Sequence, residues 1–186
     1  IIYGGFLALC YLTPLLGGFI ADKYIGNRNA ILAGGSLMAL GQLLLFFSAS
    51  TFSSDLGSAK GLMWLALFII IFGNGFFKPN ISSMVGSLYP KQEKSKLDSA
   101  FTIFYMGINA GAFLGMMLCG YIGEKIGWHY GFGLAGVFMF FGMLQFYFGQ
   151  KIFGIIGSTP SKNEEIAAIY EKENEDSHDE TSKAGI

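Results

Sequence analysis

The chain has 186 residues, 52% of them hydrophobic and only 13% charged, and 27 are glycine; this composition excludes an ordinary soluble domain and fits helices packed closely in a bilayer. A formal net charge of -1 hides an asymmetry. Eight of the thirteen acids (Glu164, Glu165, Glu171, Glu173, Glu175, Asp176, Asp179, Glu180) lie near the C-terminus, so the apolar part is mildly basic, with nothing that calls for a nucleic-acid partner.

Five apolar stretches follow in order, at about 1–21, 30–50, 61–88, 98–122 and 128–150, each at or above the ~20 residues a spanning helix needs. Strands are excluded, because Leu65-Ala66-Leu67-Phe68-Ile69-Ile70-Ile71-Phe72 is apolar on every side, whereas barrel strands alternate over ~10 residues. Residues 1–156 are therefore expected to be membrane helices and 157–186 a cytoplasmic linker. Cys10 and Cys119 fall inside apolar stretches with no CxxC or nearby His, so they read as packing residues and neither a disulfide nor a metal site is expected.

The loop after the first stretch holds Asp22 between glycines and basic neighbours. Its carboxylate suits either capping a helix N-terminus or pairing with a cation on a moving partner.

Lys78 stands out in the third stretch, as a cation inside an otherwise uncharged run from Gly61 to about Leu88. A charge at the bilayer centre is unfavourable by ~2.5–3.5 kcal/mol on insertion scales and usually marks a cavity or pathway. Snorkelling is the plain alternative, but at ~1.5 Å per residue the nearer end is roughly 15 Å away. Gly73-Asn74-Gly75 and Lys78-Pro79-Asn80 interrupt the same stretch. Pro79 removes a backbone donor, so a kink or local opening is expected near Phe77, where transporters place substrate contacts.

In the fourth stretch Gly107, Gly111 and Gly115 recur every four residues, the spacing that lets one helix approach another. Tyr105 and Asn109 are two residues out of phase with them, which at ~100° per residue puts them on roughly the opposite face. That arrangement predicts one packing face and one face displaying a phenol and an amide. A mid-helix Asn needs a partner, which is either a ligand or a neighbouring helix.

Counting Lys and Arg alone, the first and third loops hold five (Lys23, Arg28, Lys91, Lys94, Lys96) against Lys60 and Lys125 in the second and fourth. The first and third loops and the tail are thus expected in the cytoplasm and the first residue outside. A chain that begins outside, within a helix and without an initiating Met, is expected to lack at least one preceding helix. In the tail, Pro160-Ser161-Lys162-Asn163-Glu164 is a capping-box pattern, and Ile166, Ile169 and Tyr170 suggest a short amphipathic helix before a solvated acidic run from Glu171.

Gly18-x-x-Ala21-Asp22-Lys23-x-x-Gly26-x-Arg28 resembles the loop between helices 2 and 3 of the major facilitator superfamily, in the form with a longer spacing before the second glycine. Phe77-Lys78-Pro79-Asn80 and Phe104-Tyr105-Met106-Gly107-Ile108-Asn109-Ala110-Gly111 resemble the helix 4 and helix 5 signatures of proton-coupled oligopeptide transporters. The resemblance covers about Ile1 to Gly157. It implies an all-α integral membrane protein whose five transmembrane helices form most of an amino-terminal six-helix bundle, as helices 2 to 6.

That resemblance implies uptake of di- and tripeptides driven by the proton gradient, through alternating access between two bundles in the plasma or inner membrane. Lys78 would then face the central cavity and contact the peptide or a coupling carboxylate, Asn109 would hydrogen-bond the peptide backbone, Tyr105 would support it, and Tyr11 would match the family's pocket tyrosine. Gly18, Asp22, Gly26 and Arg28 would form the conformational loop. Partners implied are peptides, protons, the lipid bilayer, and the missing helix 1 and carboxy-terminal bundle; protons are the coupling ion, with no cofactor. A zwitterionic peptide of variable side chain fits charge at its ends and a roomy apolar pocket between.

Departures are the absence here of the helix 1 motif and carboxy-terminal bundle, Ala112 where many members have serine, and no Asp or Glu embedded in the five stretches. Remaining alternatives are a carrier of nitrate or another small solute, or a truncated, non-transporting membrane fragment. An enzyme is not expected: His129 sits at a helix end beside Trp128 and Tyr130, His178 is in the tail, and no nucleophile, base and acid converge.

Overall fold

In the computed structural model, which describes residues 2–89 and 94–161, the apolar stretches form five helices: α1 (Ile2–Ile20), α2 (Asn27–Thr51), α3 (Leu56–Ser87), α4 (Lys94–Lys125) and α5 (Trp128–Gly149). A wide π-turn, Ala21–Ile25, joins α1 to α2, and a 3₁₀ turn, Gln150–Phe153, follows α5. No strand occurs among the described residues. All five helices are long and apolar enough to cross a membrane, so the chain is an all-α, multi-pass membrane protein.

The helices extend past the apolar stretches where the ends carry helix-compatible polar residues. At the start of α3 the reason is local. Asp55, extended at φ -147°, caps the helix: its Oδ1 accepts from the amides of Gly57 (2.9 Å) and Ser58 (3.3 Å), and the Ser58 hydroxyl donates to Oδ2. The helix therefore begins at Leu56, ahead of the expected Gly61. Sequence inspection missed this cap, although an Asp just before a helical run is its usual signal.

α3 packs along α2, α2 also lies against α5, α1 lies against α3, and α4 lies against α5 while barely meeting α3. Backbone contact makes the α2–α3 pairing possible. A Cβ on Gly73 would stand 2.8 Å from the Gly34 carbonyl oxygen, and one on Gly34 would stand 2.6 Å from the Gly73 carbonyl oxygen. Without a solvent-driven hydrophobic force between helices in lipid, such close van der Waals approach is a main source of association.

The glycine strip on α4 behaves differently from expectation. Nothing among the described residues lies within 4 Å of a Cβ placed on Gly107, Gly111 or Gly115, so the predicted helix packing is not made within this part of the chain. α4 lies at the edge of the group, and among Ser95–Lys125 only Gly123 is buried. Gly111 and Gly115 instead line an apolar groove of 1080 Å³, with Phe77 and Ile81 of α3, Leu114 of α4 and Met139 of α5.

Small residues fill the interior, with Ala21, Ala30, Ile31 and Ala66 fully buried, while Phe140, Phe141 and Phe148 of α5 point outward. That inversion of a soluble fold suits surfaces meant for lipid or further protein. The expected amphipathic helix over Ile166–Tyr170 and the acidic run lie outside the described residues.

Candidate functional site

The α1–α3 contact builds the first half of the site. Each helix carries an internal proline, Pro14 and Pro79, yet α3 is helical throughout Leu56–Ser87. The local opening expected near Phe77 does not occur, and Asn80, almost fully buried, donates from Nδ2 to the Phe76 carbonyl at 2.6 Å. Between the helices, Asn74 Nδ2 donates to the Cys10 carbonyl at 2.9 Å. The Thr13 hydroxyl lies 3.1 Å from the Ile71 carbonyl and 2.9 Å from that of Leu9, its one proton serving either. Gly18 meets Pro79 Cβ at 3.6 Å from its own Cβ position.

This packing brings together two of the four candidate binding residues. The Lys78 ammonium sits over the Tyr11 ring, 5.0 Å from its centroid, where the face of the π-system attracts a cation. Both side chains lie on an open face of the helix pair, Tyr11 being 71% exposed. An ammonium held on an aromatic wall, with donors to spare, is chemically suited to a carboxylate.

Tyr105 and Asn109 occupy α4 and share no hydrogen bond or ring contact with Tyr11 or Lys78 among the described residues. Asn109 Nδ2 donates one turn back to the Tyr105 carbonyl at 2.8 Å, leaving its amide oxygen as an acceptor. Tyr105 stacks with Phe101 and lies edge-on to Phe104, at 6.3 and 5.6 Å between centroids. The interhelical bond that could have occupied Asn109 is therefore absent among the described residues.

At the opposite, loop end, Gly26 closes the π-turn, its amide donating to the Ala21 carbonyl at 2.8 Å. The wide turn takes up the longer spacing between Asp22 and Gly26. Gly26 adopts φ 78°, and a Cβ there would stand 2.5 Å from the Ser158 carbonyl oxygen, so glycine is required twice over. Asp22 is exposed, and α2 has Gly26 as its cap with no side-chain acceptor; the capping role considered for Asp22 is not the one it plays.

Arg28 performs a task that the sequence did not disclose. Its Nε donates to the Ile156 carbonyl at 2.6 Å, its Nη2 to that of Gly154, and its backbone amide to that of Gly157 at 2.9 Å. Its guanidinium also lies 5.9 Å from the Phe153 ring centroid. The segment leaving α5 is thereby tied to the α1–α2 turn. Gly154 and Gly157 in Gly154-Ile155-Ile156-Gly157, both with positive φ, were the available signal for a chain folded back on itself.

Residues 28–170 match the PTR2 model, described as the POT family. A di-/tripeptide transporter of Lactococcus lactis subsp. lactis is 40% identical over 161 residues, covering 86% of this chain and 30% of that protein. The chain thus spans about a third of the length of the curated relatives it matches. A crystal structure of a peptide transporter POT in complex with sulfate matches at TM-score 0.74 and 35% identity, covering 91% of this chain and 34% of that one. One of a POT family transporter with a thioalcohol-conjugated peptide matches at 0.71 and 32%, covering 89% and 34%. The chain belongs to the POT family, the proton-coupled oligopeptide transporters, and so to a family of transporters and not of enzymes.

Proposed function

We propose that the protein of which this chain forms part is a secondary active transporter that symports di- and tripeptides with protons by alternating access. The observation that carries the reading is the Lys78 ammonium held 5.0 Å over Tyr11 on an open face, deep in a membrane-spanning helix. A free cation there is sustained only by an aqueous cavity and an anionic partner, and the peptide carboxylate or a coupling carboxylate supplies the latter. Asn109 offers its amide oxygen to a peptide N–H, and Tyr105 supports it on the same helix. The naming of the matched relative as a di-/tripeptide transporter and the peptide complex among the structural neighbours favour this substrate class.

The described helices hold no embedded carboxylate for the coupling proton, so it comes from the remainder of the protein, namely helix 1 and the carboxy-terminal bundle. The apolar groove along α4 and α5 suits cover by one of those helices. The excess of Lys and Arg in the first and third loops favours a cytoplasmic location for them and for the tail, in the plasma or inner membrane. No cofactor is invoked beyond the proton.

Dipeptide uptake by the full-length protein in proteoliposomes tests the reading, with and without an inward proton gradient and with nitrate as a competing substrate. Accumulation of dipeptide that requires the gradient is expected. Nitrate transport without dipeptide uptake would transfer the assignment to small anions, and no transport of either would refute it.

A further inference from the structure

Pro14 has no N–H, so the carbonyl of Cys10, one turn back in α1, lacks the donor that an unbroken helix would give it. Pro79 does the same to the Gly75 carbonyl in α3. Both carbonyls turn to the neighbouring helix. Cys10 accepts from Asn74 Nδ2 at 2.9 Å, and the Gly75 carbonyl fits against Gly17, where any Cβ would collide with it. Within a membrane an unpaired carbonyl finds no water, so a side-chain donor aimed at one is a strong constraint on how two helices align.

The position of this bond gives it a consequence for the site. Asn74 lies one turn from Lys78 on α3, and Cys10 is the chain neighbour of Tyr11 on α1. A donor fixed to the Cys10 carbonyl therefore sets the axial register of the Lys78–Tyr11 pair.

We propose that Asn74 is a positioning residue which, by donating to the carbonyl that Pro14 leaves without its helical partner, holds Tyr11 against Lys78. Its effect on transport rests on the function proposed above; the contact itself does not. Thr13 and the Gly17–Gly75 approach bring the helices together but offer no second donor to the Cys10 carbonyl. Asn74 alone among the described side chains supplies one.

The test uses the full-length protein in proteoliposomes and the variants Asn74→Leu, which keeps the branched shape and removes the donor, Pro14→Ala, which returns the helical N–H, and their combination. Two readouts are taken at matched amounts of inserted protein. One is maleimide labelling of the half-buried Cys10 thiol, mapped by mass spectrometry against Cys119 on α4 as internal reference. The other is dipeptide uptake, resolved into KM and maximal rate.

Asn74→Leu is expected to raise Cys10 labelling several-fold relative to Cys119 and to raise KM about tenfold, from the loss of one partly buried hydrogen bond. Pro14→Ala added to it should leave both raised, because the Cys10 carbonyl regains a donor only from its own helix while α1 stays untied from α3. A merely space-filling role for Asn74 predicts near-wild-type labelling and KM in Asn74→Leu, whose side chain keeps the branched shape. If Asn74→Leu fails to insert, the double variant should insert, and its failure to do so overturns the proposal. Unchanged Cys10 labelling in Asn74→Leu, or labelling and KM that Pro14→Ala returns to the wild-type level in the double variant, also overturns it. If the wild type takes up no dipeptide, the substrate assignment falls, while the labelling result still decides the role of Asn74.

Discussion

Replacing Arg28 with Ala should release the segment that leaves α5. Two guanidinium bonds are lost, from Nε to Ile156 and from Nη2 to Gly154, the first partly buried and the second exposed. Bonds from a charged donor contribute ~1.5–3 kcal/mol each when sheltered, but at a wetted rim water competes and each is better set near 1 kcal/mol. The sum of about 2 kcal/mol corresponds to a roughly 30-fold larger opening constant for residues 154–158. Hydrogen exchange of the peptide covering these residues, measured by mass spectrometry on the full-length protein in nanodiscs, reads that constant when closing is fast. Exchange should accelerate by that order in Arg28→Ala and by less in Arg28→Lys, which keeps the charge but loses the fork. Rates within twofold of wild type in Arg28→Ala would show that the anchoring comes from the backbone bond to Gly157 and not from the side chain.

Further outcomes follow from other parts of the molecule. Lys78→Ala should reduce gradient-driven dipeptide uptake at least 100-fold without loss of membrane insertion, since it removes the cation held on the Tyr11 ring; uptake at wild-type rate and equal expression removes the proposed role. Gly73→Val should lower stability by about 2 kcal/mol through overpacking, because its Cβ would meet the Gly34 carbonyl oxygen and Met38 Cγ, both at 2.8 Å. Gly61→Ala, with open space around it, should leave thermal unfolding in detergent nearly unchanged, and equal losses in the two variants would contradict the packing described. Bonds from the Ser58 hydroxyl, then the Ser58 and Gly57 amides, hold the Asp55 carboxyl below its ordinary range. Because its folded pKa is depressed, the cap's contribution is complete above the unfolded value of about 3.9 and is lost as pH falls through the lower folded value. Protection of the first turn of α3, as exchange corrected for the intrinsic rate at each pH, should therefore fall on acidification below about pH 4, a fall that Asp55→Asn should flatten.

Much of the architecture was legible from residue order because, in a bilayer, backbone satisfaction leaves a helix as the only choice for a run such as Leu65–Phe72. The existence and number of the spans, the isolation of Lys78 within one of them, and the loop and helix signatures that mark the family all follow from local chemistry. Helix starts were less legible, as Asp55 illustrates, since a cap depends on a short polar segment that hydropathy overlooks.

What the sequence could not decide is which faces meet. Gly107, Gly111 and Gly115 recur at fourfold spacing on α4, yet close backbone approach between helices among the described residues is made at Gly34–Gly73, Gly17–Gly75 and Gly123–Gly131, because approach requires small residues on both partners at the same depth. Tyr11 and Lys78, 67 positions apart in the chain, become neighbours only through the α1–α3 packing. Arg28 and Gly157 become partners only because α5 returns to the turn that α1 leaves. A local pattern states what a helix offers on its surface; only the three-dimensional arrangement determines which offer is taken up, since burial and hydrogen-bond pairing are properties of two surfaces together.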